Sequence, residues 1–166
     1  MNVEASDAII RGLKAANVDL VAMLPDHGFD RVQKTIAADP SFTFVPVSNE
    51  GIGVGICAGA FLGGKIPAIM IPTSGLLVAT WPLASLNNLW NMPLLLLIPY
   101  RGDVGDAQPV MRTYKFTTEP ILRDLHIPYV IVSEISKIEG AIKDAVASTF
   151  AWQNPICLLF TGETLR

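Results

Sequence analysis

The chain's 166 residues suit one domain, 1–166, rather than two, and a composition of 51% hydrophobic and 16% charged residues leaves ample apolar surface for a core. Its formal net charge of −3 excludes the basic footprint of a nucleic-acid binder. Cys57 and Cys157 lie far apart in apolar runs, outside any CxxC pair, which excludes a zinc or disulfide framework and points to a reducing cytoplasm. The first residues hold no basic segment leading into an apolar one, so no signal peptide is expected.

Strand-like runs alternate with helical ones, the pattern of an α/β domain built on a mostly parallel sheet of six strands flanked by helices. A helix is expected over 6–16, where Ala8, Ile9, Leu13 and Ala16 recur at helical spacing, Ser6 serves as cap and Asn17 as stop. A strand over 18–24 ends at Pro25, a second helix covers 29–38 and a second strand 42–47. The spacing predicts a third helix over 51–63 and a strand over 67–71. The next helix is expected over 76–89, with Pro82 tolerable only near its first turn or at a kink. Residues 94–98, four leucines and an isoleucine, leave no polar face and predict a strand buried on both sides. A polar loop over 101–115 then leads to a short helix over 119–125, a strand over 129–132, an amphipathic helix over 136–150 and a last strand over 156–160.

Between Glu50 and Arg101 the only charged residue is Lys65. A membrane span is excluded because Pro67, Pro72, Pro82, Pro93 and Pro99 interrupt the stretch and Asn87, Asn88 and Asn91 sit within it, so no apolar run reaches the roughly 18–20 residues required. A segment buried on several sides, partly by another chain, explains it better.

The candidate functional residues gather after the strands, where α/β proteins place ligands. Asn49-Glu50-Gly51 opens a helix carrying Gly51, Gly55, Gly59 and Gly63 at four-residue spacing, although helical glycine costs about 1 kcal/mol relative to alanine. Such a stripe suits close approach by another helix or a flat ligand. Glu50 stands beside the positive end of the helix dipole, and by itself is most simply a first-turn glutamate that stabilises the helix. Gly51, Gly53 and Gly55 lack the third-glycine spacing and the downstream acid of a dinucleotide loop. Asp26 and His27 could contact a substrate, or form a turn in which Asp26 caps the next helix. Thr73-Ser74-Gly75 forms a polar tip whose backbone N–H groups could bind an anion. Ser74 is outside a GxSxG elbow, which argues against a serine hydrolase. His126, at a helix end, suits capping better than catalysis. Arg101 could pair with a carboxylate, sulfonate or phosphonate, or take part in a surface salt bridge.

Residues 49–67, NEGIGVGICAGAFLGGKIP, resemble the NEG-x-AVG-x-AAG-x-x-L-x-x-GK-x-P signature of the pyrimidine-binding (PYR) domain of thiamine-diphosphate enzymes, specifically the sulfopyruvate and phosphonopyruvate decarboxylases. Residues 94–102, LLLLIPYRG, are similar to the family's LLLLI-x-WRG strand, Leu24-Pro25-Asp26 to its PD loop, and 119–129, EPILRDLHIPY, to its helix–strand junction PLLEALGIPY. The resemblance covers nearly the whole chain. It implies that Glu50 is the carboxylate hydrogen-bonded to the aminopyrimidine ring, favouring the tautomer that removes the thiazolium C2 proton. By the same resemblance Gly51, Gly55, Ser74 and Gly75 lie against the cofactor, while Asp26, His27, Thr73 and Arg101 face the substrate, with His27 a possible proton donor.

The family's diphosphate domain carries GDG and a downstream asparagine. Here Gly102-Asp103-Val104 and Gly105-Asp106-Ala107 lack the final glycine, and no asparagine occurs between Asn91 and Asn154. The resemblance therefore implies no metal ligand in this chain: Mg²⁺ and diphosphate fall to a separate beta subunit, and the chain alone is expected to be inactive. It implies decarboxylation of sulfopyruvate to sulfoacetaldehyde and CO₂, or of a related 3-substituted pyruvate such as phosphonopyruvate. Alternatives are a carboligase of the acyloin or acetolactate type, and a non-catalytic regulatory subunit of the same fold. Two departures leave the 3-substituent open: Pro72-Thr73-Ser74-Gly75-Leu76-Leu77-Val78 replaces QNSGLGN, and His27 replaces a serine.

Overall fold

The computed structural model describes residues 1–165. Helix α1 (Val3–Ala15) starts before Ser6 because Asn2 is its cap: Asn2 Oδ1 accepts the Glu4 amide at 2.8 Å, and Ser6 sits buried in the first turn with its hydroxyl donated to the Asn2 carbonyl. Asn17, at φ 57°, stops the helix in the left-handed region that asparagine tolerates. The remaining elements are β1 (Leu20–Met23), α2 (Asp30–Ala38), β2 (Thr43–Pro46), α3 (Glu50–Leu62), β3 (Pro67–Met70), α4 (Thr73–Pro82), β4 (Leu94–Pro99), α5 (Pro109–Asp124), β5 (Tyr129–Val132), α6 (Ile138–Trp152) and β6 (Pro155–Phe160).

The sheet runs in the order β2-β1-β3-β4-β6-β5, and every pairing is parallel, so the expected mostly parallel sheet has no antiparallel member. Alternation along β4 divides the core into two layers. Leu95 and Leu97 join Ile9, Leu13, Ile36 and Ile142 on the side of α1, α2 and α6. Leu94, Leu96 and Ile98 join Val54, Leu76, Leu83 and Leu122 on the side of α3, α4 and α5. Each fully buried leucine contributes roughly 2 kcal/mol.

Two further sequence expectations are corrected. Helix α4 begins at Thr73 rather than 76, so Thr73-Ser74-Gly75 is its first turn and not a loop tip. Pro82 closes α4 where the chain widens into a π-helical turn, Leu83–Asn88, which accommodates the missing N–H. Residues 109–115 are helical rather than loop: α5 starts on Pro109, whose fixed φ suits a first helical position, and only its Thr118 and Leu122 are buried, so the apolar stripe is too thin to be read from spacing.

Candidate active site

Asn49 fixes the position of Glu50. Its extended backbone (φ −152°) and its Oδ1, which accepts the Ile52 amide at 3.2 Å, start α3 directly at the glutamate. The Glu50 side chain turns inward toward α4, and the residue is only 7% exposed. Among the described residues no hydrogen bond or ion pair engages its carboxylate, although buried charges are ordinarily paired. Gly75, in the first turn of α4, lies directly beneath it: an ideal Cβ there would stand 2.6 Å from Glu50 Cγ and 2.8 Å from Cδ. At Gly51 the equivalent atom would meet Pro82 Cγ at 3.1 Å, so α3 and α4 cross closely at this end.

The rest of the glycine stripe divides by direction. A Cβ at Gly55 or Gly59 meets nothing within 4 Å, whereas Gly53, outside the stripe, packs on the sheet with Ile69 Cδ1 at 2.9 Å from its own ideal Cβ. The open glycines share their side of the molecule with exposed Ile52 on α3 and Leu77, Val78 and Trp81 on α4.

His27 and Arg101 meet elsewhere, in a cleft of about 550 Å³ at the carboxyl ends of β1, β4 and β6, lined also by Gly28, Tyr100, Asp103 and Thr161. Asp26 does not line it; its Oδ1 accepts the Gly28 amide at 2.7 Å and caps the short turn that presents His27. Arg101 spends its fork on Asp106, with Nε–Oδ2 3.1 Å and Nη2–Oδ1 3.0 Å. The two groups of residues are joined through Pro99. Thr73 is buried and donates its hydroxyl to the Pro99 carbonyl at 2.7 Å, while Pro99 Cβ lies 2.9 Å from where a Gly28 Cβ would be. Glu50, Gly51 and Gly75 thus cluster under α3 and α4, His27 and Arg101 face the cleft, and Thr73 serves the frame between them. Ser74 is half-buried in the first turn of α4.

A polar network beside the cleft was not anticipated from the sequence. Tyr100, 1% exposed, and Tyr129 both donate their hydroxyls to Glu119, each at 2.7 Å. Lys115 Nζ lies 3.6 Å from the Tyr100 ring centroid and 2.8 Å from Asp103, whose other oxygen accepts the Thr161 hydroxyl. Burial and then the Glu119 bond push the Tyr100 hydroxyl pKa up, while the hydrogen bond from Tyr100, followed by that from Tyr129, holds Glu119 below the usual carboxylate value. The available signal was Glu119 lying one helical stretch before Tyr129, but only the position of α5 reveals the pairing.

No protein-family model matches the chain. Curated relatives do. Sulfopyruvate decarboxylase subunit alpha of Methanothermobacter thermautotrophicus is 35% identical over 129 residues, 78% of each chain. The subunit of the same name from Methanocaldococcus jannaschii is 30% identical over 158 residues, 95% of this chain and 94% of that one. Among solved structures, the 2-oxoglutarate:ferredoxin oxidoreductase from Magnetococcus marinus superimposes with a TM-score of 0.79 at 17% identity, over 97% of this chain and 29% of the other. At that identity the likeness is one of fold, shared with less than a third of a longer chain.

Proposed function

The chain belongs to the sulfopyruvate decarboxylase subunit alpha family, and on that premise we propose that it is the pyrimidine-binding half of a thiamine-diphosphate-dependent 2-keto acid decarboxylase acting on sulfopyruvate or a related 3-substituted pyruvate. The observation that carries the proposal is Glu50, a carboxylate buried at a helix start with no partner of its own among the described residues. Such a group is available to a partner from outside the chain, and an aminopyrimidine ring nitrogen sharing a proton with the carboxyl suits it.

The residues fit one half of such a cofactor. Glu50 would hold the ring nitrogen, the open flank of Gly55 would leave space for the ring beside α3, and Gly51, Ser74 and Gly75 would frame the site where α3 and α4 cross. When bound, thiamine diphosphate supplies the electron sink for loss of CO₂. The second half is assigned to a beta subunit, which would provide the diphosphate and Mg²⁺ ligands and cover the open face of α3 and α4. In the cleft, His27 is the exposed titratable group available to donate a proton or meet the anionic 3-substituent, and Asp26 acts by fixing His27 in place.

Reconstitution tests this reading. The chain mixed with a partner carrying the GDG motif, thiamine diphosphate and Mg²⁺ is expected to convert sulfopyruvate to sulfoacetaldehyde and CO₂, with negligible turnover when either protein is omitted. A hydroxyketone as sole product in the presence of an acceptor aldehyde would assign ligation instead. No thiamine-dependent turnover of any 2-keto acid by the complex would overturn the proposal.

A further inference from the structure

We infer that Gly75 is a positioning residue for Glu50, its missing side chain being what allows the buried carboxylate to lie across the first turn of α4; the inference rests on the proposed role of Glu50. Gly75 is not required by its backbone. It lies within a helix and is absent from the left-handed glycines Gly64, Gly102, Gly105 and Gly162. In a helix, glycine is less favourable than alanine, so the position carries a cost that local structure does not repay. The compensation is steric. A Cβ at Gly75 would stand within 3 Å of Glu50 Cγ and Cδ, and nearer still to Oε1.

Neither helix start is free to retreat. The start of α3 is fixed by the Asn49 cap, and that of α4 by the Thr73 hydroxyl on Pro99 at 2.7 Å and the Gly75 amide on Pro72 at 2.9 Å. The atom that must yield is therefore in the Glu50 side chain, and because the clash reaches Cγ, rotating the terminal carboxylate alone does not relieve it. A side chain at position 75 would move Glu50 to another rotamer while leaving the fold in place. Gly75 so acts through Glu50 and need not touch any ligand itself.

A double-mutant cycle on the full chain tests the steric coupling without any cofactor. Gly75→Ala should raise the thermal midpoint more in the Glu50→Ala background, where the three nearest atoms to the new methyl group are gone, than in the wild-type background. Equal shifts in the two backgrounds overturn the inference. In the reconstituted complex, Gly75→Ala should lower kcat by at least tenfold, with assembly intact and the keto-acid KM little changed. If Glu50→Gln is inactive while Gly75→Ala retains full kcat, Gly75 does not position Glu50 and the inference fails, with the role of Glu50 intact. If Glu50→Gln itself is fully active, the functional reading fails, and the thermal cycle still decides whether the two residues are coupled.

Discussion

Arg101 grips Asp106 through two parallel contacts of its guanidinium fork, at 3.1 and 3.0 Å. Asp106 also accepts the amides of Gln108 at 3.1 Å and Gly102 at 3.3 Å, so one carboxylate ties off the whole turn, with Gly102 and Gly105 supplying its positive φ values of 102° and 100°. The Gln108 amide, and then the Arg101 guanidinium, hold the Asp106 carboxyl below its ordinary value of 3.8. A depressed folded-state pKa means that this stabilisation is complete above 3.8 and is lost as pH falls through the folded value. The latch therefore stays closed at neutral pH. Asp106→Asn should open it there, with amide exchange over 102–108 faster by about tenfold while the sheet is unaffected. Unchanged exchange would mean that the glycines alone set the turn.

The same turn shows the limit of what the sequence discloses. Strand β4 is legible because Leu94, Leu96 and their neighbours are apolar on both faces, and Glu50 is legible because a strand, an asparagine cap and a glycine-rich helix meet at it. Arg101 was visible as a cation at a strand end, but its engagement by Asp106 depends on loop geometry, which no periodicity encodes. Helix α5 was half hidden because its inward stripe amounts to Thr118 and Leu122. Gly75 read as part of a polar tip because its purpose lies in a contact with a residue on another helix.

Glu50→Gln keeps the size of the side chain and removes the carboxylate. In the assembled complex turnover should fall by at least a hundredfold, the usual scale for loss of a group acting in proton transfer. Because Glu50 has no ion pair among the described residues to lose, the thermal midpoint should change little. Wild-type turnover in this variant would remove the basis of the thiamine reading.

Glu119 is predicted to be structural. Its removal takes away the acceptor of two tyrosine hydroxyls, one of them on a fully buried ring, although Tyr100 keeps a weaker contact to the Lys115 carbonyl at 3.2 Å. Glu119→Ala should cost about 1–2 kcal/mol, or roughly 3–6 °C in Tm. The hydrogen bond from Tyr100, first, and that from Tyr129 lower the Glu119 pKa from 4.5. Its contribution is therefore present above 4.5 and lost as pH falls through the folded value, so the stability gap between wild type and variant should narrow in acid. Denaturant titrations at pH 7 and pH 3.5 measure that gap; one that widened in acid would contradict the assignment.

The open face of α3 and α4 gives the last prediction. Trp81 is 76% exposed, with Leu77 and Val78 one turn earlier on the same helix and Ile52 on α3 beside Gly55, whose surroundings are open. Exposing an indole and three aliphatic side chains together is unfavourable in water, and a large aromatic amid smaller apolar neighbours is the usual composition of an interface anchor. Adding the partner should shift tryptophan emission to shorter wavelength. Trp81→Ala should weaken association by at least tenfold, whereas alanine at exposed Trp152, on the far side of the sheet in α6, should not. The contrast separates burial at a specific face from general stickiness: equal weakening by both substitutions indicates non-specific association, and no weakening by Trp81→Ala places the partner on another surface. If the face is the interface, Val78→Asp should abolish association outright, because it sets an unpaired charge at the centre of the apolar contact.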